Sequence, residues 1–163
     1  MLVDGPFDVL RTLVIFFNPG IDVLRAARFA CDSVLVHSMH DPTEGGLING
    51  VVEMASASQK EIEVNLEKVH IYEESRALCK AFDLNPLGVI ASGALLLTIS
   101  PSDLSTLQKA FAESSIPFQA IGKVKKGPGR VLSIVGKRRK ELKPLPRDEI
   151  LKIYERQPFD SSA

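Results

Sequence analysis

The chain has 163 residues, of which 45% are hydrophobic and 25% are charged, and its formal net charge is zero. This is the composition of one globular domain with enough apolar residues for a core, which excludes a disordered or collagen-like chain. Charge is unevenly placed, with a net −7 over residues 1–120 and a net +7 over residues 121–163.

Hydrophobic periodicity predicts alternating helices and strands. In chain order we predict a helix over 7–17, a helix over 21–31, a strand over 33–39, a helix over 47–57, a strand over 61–66, a helix over 72–82, a strand over 94–100, a helix over 100–113, a hairpin over 118–136 around Gly127-Pro128-Gly129, and a helix over 147–157. The continuous apolar run at 94–100 predicts a central strand. The alternation, with one hairpin, predicts an α+β fold, an α/β/α sandwich with a mixed sheet and packed helices.

The basic C-terminal third of the chain admits two interpretations. It could contact an anionic ligand or nucleic acid. It could equally be a solvated surface that faces the acidic part of the same molecule, and we favour this second interpretation. The run GKRRKELK at 136–143 supports nucleic-acid binding by charge alone, and a basic edge strand or linker explains it more simply. We therefore do not predict a nucleic-acid partner.

The cysteines and the amino terminus indicate a reducing compartment. Cys31 and Cys79 lie in apolar, helix-like patterns, which predicts buried free thiols rather than a disulfide. No Cys-x-x-Cys motif or Cys/His cluster is present, so we predict no zinc site. The first residues lack the pattern of a signal peptide, and the apolar run at 12–17 is too short to span a bilayer. We expect a cytoplasmic protein without a membrane partner.

The stretch HSMHDPTEGGLINGVVEMAS at 37–56 carries a possible anion site. Pro42 holds Asp41 extended, and Thr43 could cap the following helix. The glycine pair at 45–46 has no Cβ atoms, so a ligand could approach the first N–H groups of the helix and the positive end of its dipole. Such helix starts bind phosphate or carboxylate. A well-capped structural helix fits the same residues, and both interpretations stay open here.

Two histidines frame the start of this stretch. His37 and His40 are three residues apart, which puts them on opposite faces of a strand. We therefore predict no metal site built from both. His40 lies beside Asp41 and could contact a phosphate, although an ordinary surface histidine is the simpler interpretation.

The same stretch resembles the glycine-rich signature of the C-terminal domain in the aminoimidazole ribonucleotide synthetase (AIR synthase, PurM) superfamily. The spacing is most similar to the hydrogenase-maturation branch, the HypE-like proteins and their archaeal relatives. The segments ALCKAFDLNPLGVIASGALLLTI, IPFQAIGKV and LPRDEILKIY follow in the family's order. The resemblance covers roughly residues 33–153. The matching positions are Met39, Asp41, Pro42, Thr43, Gly45, Gly46, Leu47, Glu53, Ala55, Cys79, Leu84, Pro86, Leu87, Ala91, Gly93, Leu95, Ala120, Ile121, Gly122 and Val124.

The resemblance implies a PurM C-terminal-domain-like fold that is partly ferredoxin-like. We expect one domain over 1–163, with a helical lead-in over 1–32, a core over 33–145 and a C-terminal helix and tail over 146–163. In the superfamily an N-terminal domain carries most ligands of ATP and Mg²⁺ and forms the dimer, and we expect that domain to be absent from this chain. The family's dimer surface would then be missing, which leaves a homodimer open.

The resemblance also implies a function. Superfamily members activate an oxygen with ATP through a phosphorylated intermediate, and the hydrogenase branch dehydrates a carbamoylated cysteine to a thiocyanate. The expected partners are ATP, the N-terminal ATP-binding domain and a maturation partner protein, and the isolated domain is expected to be inactive. The expected phosphate- or ATP-binding residues are His40, Thr43, Glu44, Gly45 and Gly46; the expected catalytic residues are Asp41 and Ser92; no metal ligand is assigned.

Three departures from the family pattern oppose cyanide-ligand synthesis as such. Glu44 stands where relatives carry arginine, which weakens the attraction for phosphate. Ser92 stands where the branch usually has an acid, and a serine without a partner is not a general base. No cysteine follows Cys79, whereas the maturation protein ends in Pro-Arg-x-Cys. The alternative function is a non-catalytic docking or dimerisation domain with a vestigial nucleotide cleft, and the acceptor substrate stays open.

Overall fold

The computed structural model describes residues 20–156, so the predicted first helix and Gln157, the last residue of the predicted final helix, lie outside the described range. Helices and strands alternate along this range. In chain order they are α1 (Leu24–Ser33), β1 (Val36–His40), α2 (Gly46–Ser58), β2 (Glu61–Val64), α3 (Glu73–Ala81), β3 (Leu96–Ile99), α4 (Leu104–Glu113), β4 (Gly122–Lys125), β5 (Arg130–Val135), β6 (Arg138–Leu142) and α5 (Leu151–Arg156), with short 3₁₀ turns at Leu66–Lys68 and Pro101–Asp103.

The strands form two sheets. A four-stranded sheet has the order β4-β2-β5-β6, in which β2 runs antiparallel to β4 and parallel to β5, and β5 runs antiparallel to β6. A two-stranded antiparallel sheet joins β1 to β3, with an irregular register between Val36 and Ser38. The mixed sheet with helices packed on it confirms the predicted α+β class.

The predicted hairpin around Gly127-Pro128-Gly129 is wrong. β4 and β5 flank that turn, but β2 lies between them, so that Ile62 pairs with Val124 on one side and Val131 on the other. The hairpin of this sheet is formed by β5 and β6 instead. Turn residues reveal a change of chain direction, but they cannot reveal that a distant strand separates the two arms.

The predicted central strand at 94–100 is also placed differently. Its middle becomes β3, which among the described residues pairs only with β1, in the smaller sheet. All four residues of β3 are partly buried rather than fully buried. Leu97 and Ile99 pack against the core beside α4, and Leu96 packs against the core beside α2. Both neighbours of the strand are apolar, which explains why its sequence is apolar throughout.

Two apolar clusters form the core. The first joins α2 to the four-stranded sheet. It contains Leu47, Val51, Ala55, Ile62, Val64 and Val131. The second joins α1, α4 and the β1–β3 sheet around Ala30, Leu107 and Phe111, with the Phe29 ring edge-on to Phe111 at 5.6 Å between centroids. These clusters anchor both ends of the segment that connects β1 to α2.

The two cysteines differ in exposure. Cys79 is buried, as predicted, and burial together with the nearby Glu149 carboxylate raises the pKa of its thiol. Cys31 is exposed, so the prediction that it is buried was wrong. Its neighbour Ala30 faces the second cluster, and consecutive helical residues point about 100° apart, so both cannot face the same cluster. Within residues 20–156 no helix is long and apolar enough to cross a membrane.

The face of the four-stranded sheet that carries Glu61 and Glu63 is held by ion pairs. The Glu63 side chain is only 2% exposed, and its oxygens lie 2.6 Å from Lys125 Nζ and 3.2 Å from Arg139 Nη1. Glu61 pairs with Arg130 at 2.7 Å. The hydrogen bond from Lys125, aided by the charges of Arg139 and Lys125, holds the pKa of Glu63 below its ordinary value although burial alone would raise it.

Because the folded state depresses the pKa of Glu63, this carboxylate stabilises the fold above its unfolded pKa near 4.5, and that contribution is lost as pH falls through the folded pKa. Glu63→Gln should therefore lower the free energy of unfolding at neutral pH, and its difference from the wild type should shrink on acidification. Urea denaturation over a pH series measures this, with the exposed Glu67→Gln as a control. A difference that does not vary with pH would contradict the assignment.

Candidate functional site

The connection from β1 to α2 is built around a buried proline and two glycines. Pro42 is fully buried, and Asp41, Thr43 and Glu44 around it are exposed. The N-cap of α2 is Gly45 in a left-handed conformation, with φ +72°, and the cap makes no side-chain hydrogen bond. The chain thus turns sharply before the helix begins, and the three exposed side chains lie on the solvent side of the turn.

The predicted capping role of Thr43 is therefore wrong. A Thr43 cap would start the helix at position 44, but α2 begins at Gly46. The carbonyl of Thr43 instead accepts hydrogen bonds from Gly46 N–H at 3.1 Å and from Ala91 N–H at 3.2 Å. The left-handed glycines make this tighter turn possible, so the N-cap is Gly45 rather than Thr43.

A distant carboxylate supplies the cap instead. Asp148 Oδ2 accepts a hydrogen bond from Gly45 N–H at 2.7 Å, and Oδ1 accepts one from Ile150 N–H at 2.8 Å. Asp148 is only 8% exposed. Its negative charge meets the positive end of the α2 dipole, which is the arrangement that a helix start favours. The same turn delays α5 to Leu151, four residues after the predicted start.

We call residues 145–149 the strap, because they contact both the start of α2 and the loop over 85–89. The Asn49 side chain of α2 accepts from Leu145 N–H at 2.8 Å and donates to the Leu145 carbonyl at 3.3 Å. Glu149 Oε2 accepts from Asn85 N–H at 3.0 Å, and Glu149 N–H donates to the Gly88 carbonyl. The strap thereby fixes the start of α2 against the loop over 85–89.

Burial would raise the pKa of the Glu149 carboxyl, but hydrogen bonds from Lys152 Nζ, at 2.6 Å, and from Asn85 N–H outweigh it and hold that pKa below the ordinary value. Glu149 is therefore a charged, fully engaged group of the strap. The Glu149 carboxylate therefore holds the 85–89 loop in place and is not free to bind a ligand.

The glycine pair makes close contact with the protein itself. A Cβ on Gly46 would lie 2.4 Å from the Val89 carbonyl oxygen and 2.8 Å from that of Leu87. A Cβ on Gly45 would lie 2.0 Å from the Asn49 side chain. Gly45 and Gly46 are buried, and their N–H groups already bind Asp148 and Thr43. Phosphate binding at these two glycines stays a prediction, and the exposed residues before them are the ones that a ligand can reach.

The structure brings Ser92 close to this turn. The Ala91–Thr43 hydrogen bond joins the two loops, and Ser92, the next residue, is exposed. Gly93 continues the loop with φ +96°. The predicted residues Asp41, Thr43, Glu44 and Ser92 therefore belong to two adjoining loops with solvent-facing side chains.

The histidines are held separately. His40 Nε2 lies 2.6 Å from Glu53 Oε2 on α2, and His37 Nε2 lies 3.2 Å from Ser100 Oγ. The two rings thus have different hydrogen-bond partners. In the part of the chain that the structure describes, no group of three His, Cys, Asp or Glu residues could hold a metal ion.

The sequence profile described as AIR synthase related protein, C-terminal domain, matches residues 18–135. This range contains the β1–α2 turn, the Ala91–Ser92 loop and most of the four-stranded sheet. The chain belongs to this family. The resemblance inferred from the glycine-rich stretch is thereby confirmed.

Named relatives are of two kinds, hydrogenase-maturation proteins and the phosphoribosylformylglycinamidine synthase subunit PurL, which in Alkaliphilus metalliredigens is 34% identical over 95 residues, covering 55% of this chain and 11% of that protein. The chain is 28% identical over 123 residues to a putative hydrogenase expression/formation protein of Methanocaldococcus jannaschii, an alignment that covers 71% of this chain and 37% of that protein. It is 31% identical over 90 residues to the carbamoyl dehydratase HypE of Rhizobium leguminosarum bv. viciae, covering 55% and 26%. The chain thus spans about a third of the Methanocaldococcus protein and about a quarter of the Rhizobium protein.

Solved structures are similar as well. HypE in complex with ATP has a TM-score of 0.60 and 25% identity, over 68% of this chain and 36% of that one. Escherichia coli HypE has a TM-score of 0.68 and 20% identity, over 80% and 42%, which establishes the shared fold alone. The described AIR synthase-related domain therefore corresponds to a minor part of each protein.

Sequence reasoning missed four residues that organise this family's glycine-rich turn here. They are Asn49, Glu53, Asp148 and Glu149. Glu53 was a matching motif position, so its position could have drawn attention. Asp148 and Glu149 directly follow the Leu-Pro-Arg segment, but only a three-dimensional structure places them against a helix start 103 residues away.

A paired glycine experiment tests the close packing of the turn. Gly46→Ala should lower the free energy of unfolding by more than about 3 kcal/mol, because it adds left-handed strain and a collision with two backbone carbonyls. Gly136→Ala has a similar φ, +57°, with no atom within 4 Å of the added Cβ, and should cost about 1 kcal/mol. Urea denaturation compares the two, and equal losses would contradict this packing.

A second experiment tests the cap from the strap. Asp148→Ala removes the acceptor of Gly45 N–H and of Ile150 N–H, and should cost about 2–3 kcal/mol because buried donors lose a charged acceptor. The exposed Asp32→Ala on α1 is the control and should change stability by less than about 0.5 kcal/mol. Amide hydrogen exchange should also quicken at the start of α2. Unchanged exchange there would show that Asp148 is not its cap.

Proposed function

We propose that this domain forms one wall of an ATP cleft in a HypE-type enzyme whose ATP-binding domain lies outside this chain, either as a separate polypeptide or as a further part of the protein. The observation that carries the proposal is the pair of adjoining loops, in which Asp41, Thr43, Glu44 and Ser92 are exposed on a backbone fixed by the strap. A relative at 25% identity binds ATP, which supports this assignment.

The exposed donors and acceptors fit a nucleotide with its metal better than a bare phosphate. Asp41 carries a carboxylate, which repels phosphate oxygens but suits Mg²⁺, a cation that prefers oxygen ligands. Thr43 offers a hydroxyl and an exposed backbone segment for a phosphate oxygen. Bound MgATP would supply the phosphoryl group that activates an oxygen of the acceptor.

The chain's own residues would then orient the reactants. Asp41 would position the metal or the acceptor, and the exposed Ser92 hydroxyl would donate a hydrogen bond to the acceptor. His40, held by Glu53, would contact the phosphates at the rim. Glu44 would contribute through its backbone N–H, while its side chain weakens the attraction for phosphate where relatives carry arginine.

A second candidate function is supported by the occupied helix start. Asp148 already binds Gly45 N–H, and backbone carbonyls fill the space before Gly46. Both features suit a domain kept for docking or dimerisation with a vestigial cleft. A partner protein would then be the main ligand; a relative has been solved as a HypE–HypF complex, which supports protein binding as part of this proposal.

Calorimetry with MgATP separates the two functions. The chain should be combined with an AIR synthase-type ATP-binding half and compared with that half alone. Thr43→Val should weaken ATP binding of the complex by about tenfold, the loss of one charge-assisted hydrogen bond. Glu44→Arg should tighten binding because it reverses a repulsive charge. The exposed Thr106→Val on α4 is the matched control and should have no effect.

The outcomes are distinct. If the complex forms but the added chain and its variants leave ATP affinity and turnover unchanged, the cleft assignment is wrong and the docking function is favoured. If Glu44→Arg weakens binding, the Glu44 side chain is a ligand of the nucleotide–metal pair rather than a source of repulsion.

A further inference from the structure

The four-stranded sheet concentrates positive charge. Together with its connecting turns, over 61–64 and 122–143, it carries nine Lys and Arg residues against three Glu residues. Four of these cations are paired with the three acids. The five without an ion pair in the described structure are Lys123, Lys126, Lys137, Arg138 and Lys140. Much of this sheet's positive charge is therefore available to a partner.

Three of these free cations lie on or beside β6. Within residues 20–156, β6 pairs with β5 on one side only, so its other edge presents unpaired backbone groups. Arg138 and Lys140 share one face of the strand, and Arg139 points to the other face, where it contacts Glu63. Both faces of this open edge are therefore basic.

We propose that β6 binds an extended, acidic segment of a partner protein, which adds to the sheet as an antiparallel strand. Backbone hydrogen bonds to the open edge would hold the segment. Acidic side chains directly opposite Arg138, Arg139 and Lys140 would lie about 4.5–5.5 Å from them between Cβ atoms, close enough for opposite charges to attract. A basic residue of the segment opposite Glu141 would complete the pairing and set the register of the added strand.

Other occupants fit this edge less well. A second copy pairing about Arg139 would place Arg138 opposite Lys140 twice and Arg139 opposite itself, so like charges oppose that register. Pairing about Lys140 would make two attractive Arg139–Glu141 pairs but set Lys140 opposite itself, whereas an acidic segment with one base makes four attractive pairs. Nucleic acid finds phosphate contacts here, but residues 122–143 contain no aromatic side chain on which bases could stack. An acidic strand uses both the open backbone edge and the alternation of the cations.

A synthetic octapeptide tests the proposal. Thr-Val-Lys-Glu-Glu-Glu-Val-Thr, pairing antiparallel, sets its three glutamates opposite Lys140, Arg139 and Arg138 and its lysine opposite Glu141. The permuted peptide Thr-Val-Glu-Lys-Glu-Glu-Val-Thr has the same composition, but in either strand direction it sets its lysine opposite a cation of β6 and a glutamate opposite Glu141. Fluorescence anisotropy with the full chain should give tighter binding of the first peptide. N-methylation of the amides that face β6 should abolish binding while leaving the charge unchanged.

Variants of the protein locate the site. Arg138→Glu/Lys140→Glu should weaken binding of the octapeptide by about tenfold or more, because two attractive pairs become repulsive. Lys123→Glu/Lys126→Glu is the matched control, since it changes net charge equally on and beside β4 at the other edge of the sheet, and it should have little effect. Circular dichroism confirms that both variants fold.

Several results would overturn the proposal. If neither peptide binds, or both bind equally, the edge does not read an acidic strand. Binding that survives N-methylation would mean that charge alone is recognised. A thymidine oligonucleotide of about 20 residues that binds more tightly than the peptide, with a steep loss in salt, would assign this surface to nucleic acid instead. Equal weakening by the control variant would remove the assignment from β6.

Discussion

The hydrogen bond between Asp148 and Gly45 is the contact on which the arrangement of the exposed loops depends. A buried carboxylate is costly unless it is hydrogen-bonded, and the start of a buried helix has N–H groups that need acceptors. Gly45 N–H donates to Asp148 Oδ2 at 2.7 Å, so this one hydrogen bond meets the need of both the carboxylate and the helix start. Asn49 binds Leu145, and Glu149 binds the 85–89 loop. These hydrogen bonds and the Asp148 cap together fix the backbone of the exposed turn.

Local signals in the sequence were sufficient for most of the helices and insufficient for the pairing of the strands. Periodicity placed α2, α3 and α4 within a few residues of their observed bounds, because each has an apolar face of its own. The insertion of β2 between β4 and β5 depends on residues about 60 positions away, and the cap of α2 by Asp148 depends on a residue 103 positions away. Turn chemistry and capping rules describe only neighbours, so both of those predictions failed.

The glycine motif shows the same limit at the candidate site. The sequence located the exposed residues around Asp41 and Thr43 and, by resemblance, the loop of Ser92 beside them. It could not say what occupies the space next to the glycines. A missing Cβ permits approach by a ligand or by the protein's own backbone, and at Gly46 the carbonyls of Leu87 and Val89 take that space. A motif match therefore carries a packing requirement as well as a binding one.

The basic residues of the C-terminal third are only partly neutralised by acids of the same sheet. The interpretation that the basic C-terminal third faces the acidic part of the same molecule holds for Glu61 and Glu63, whose partners Lys125, Arg130 and Arg139 come from that third. It does not account for Arg138 and Lys140. These two side chains share one face of β6, while the acids of the sheet lie on the other face. The pleat of the strand itself thus separates them from every acid in the sheet, and neutralisation by another molecule is the arrangement that this geometry favours.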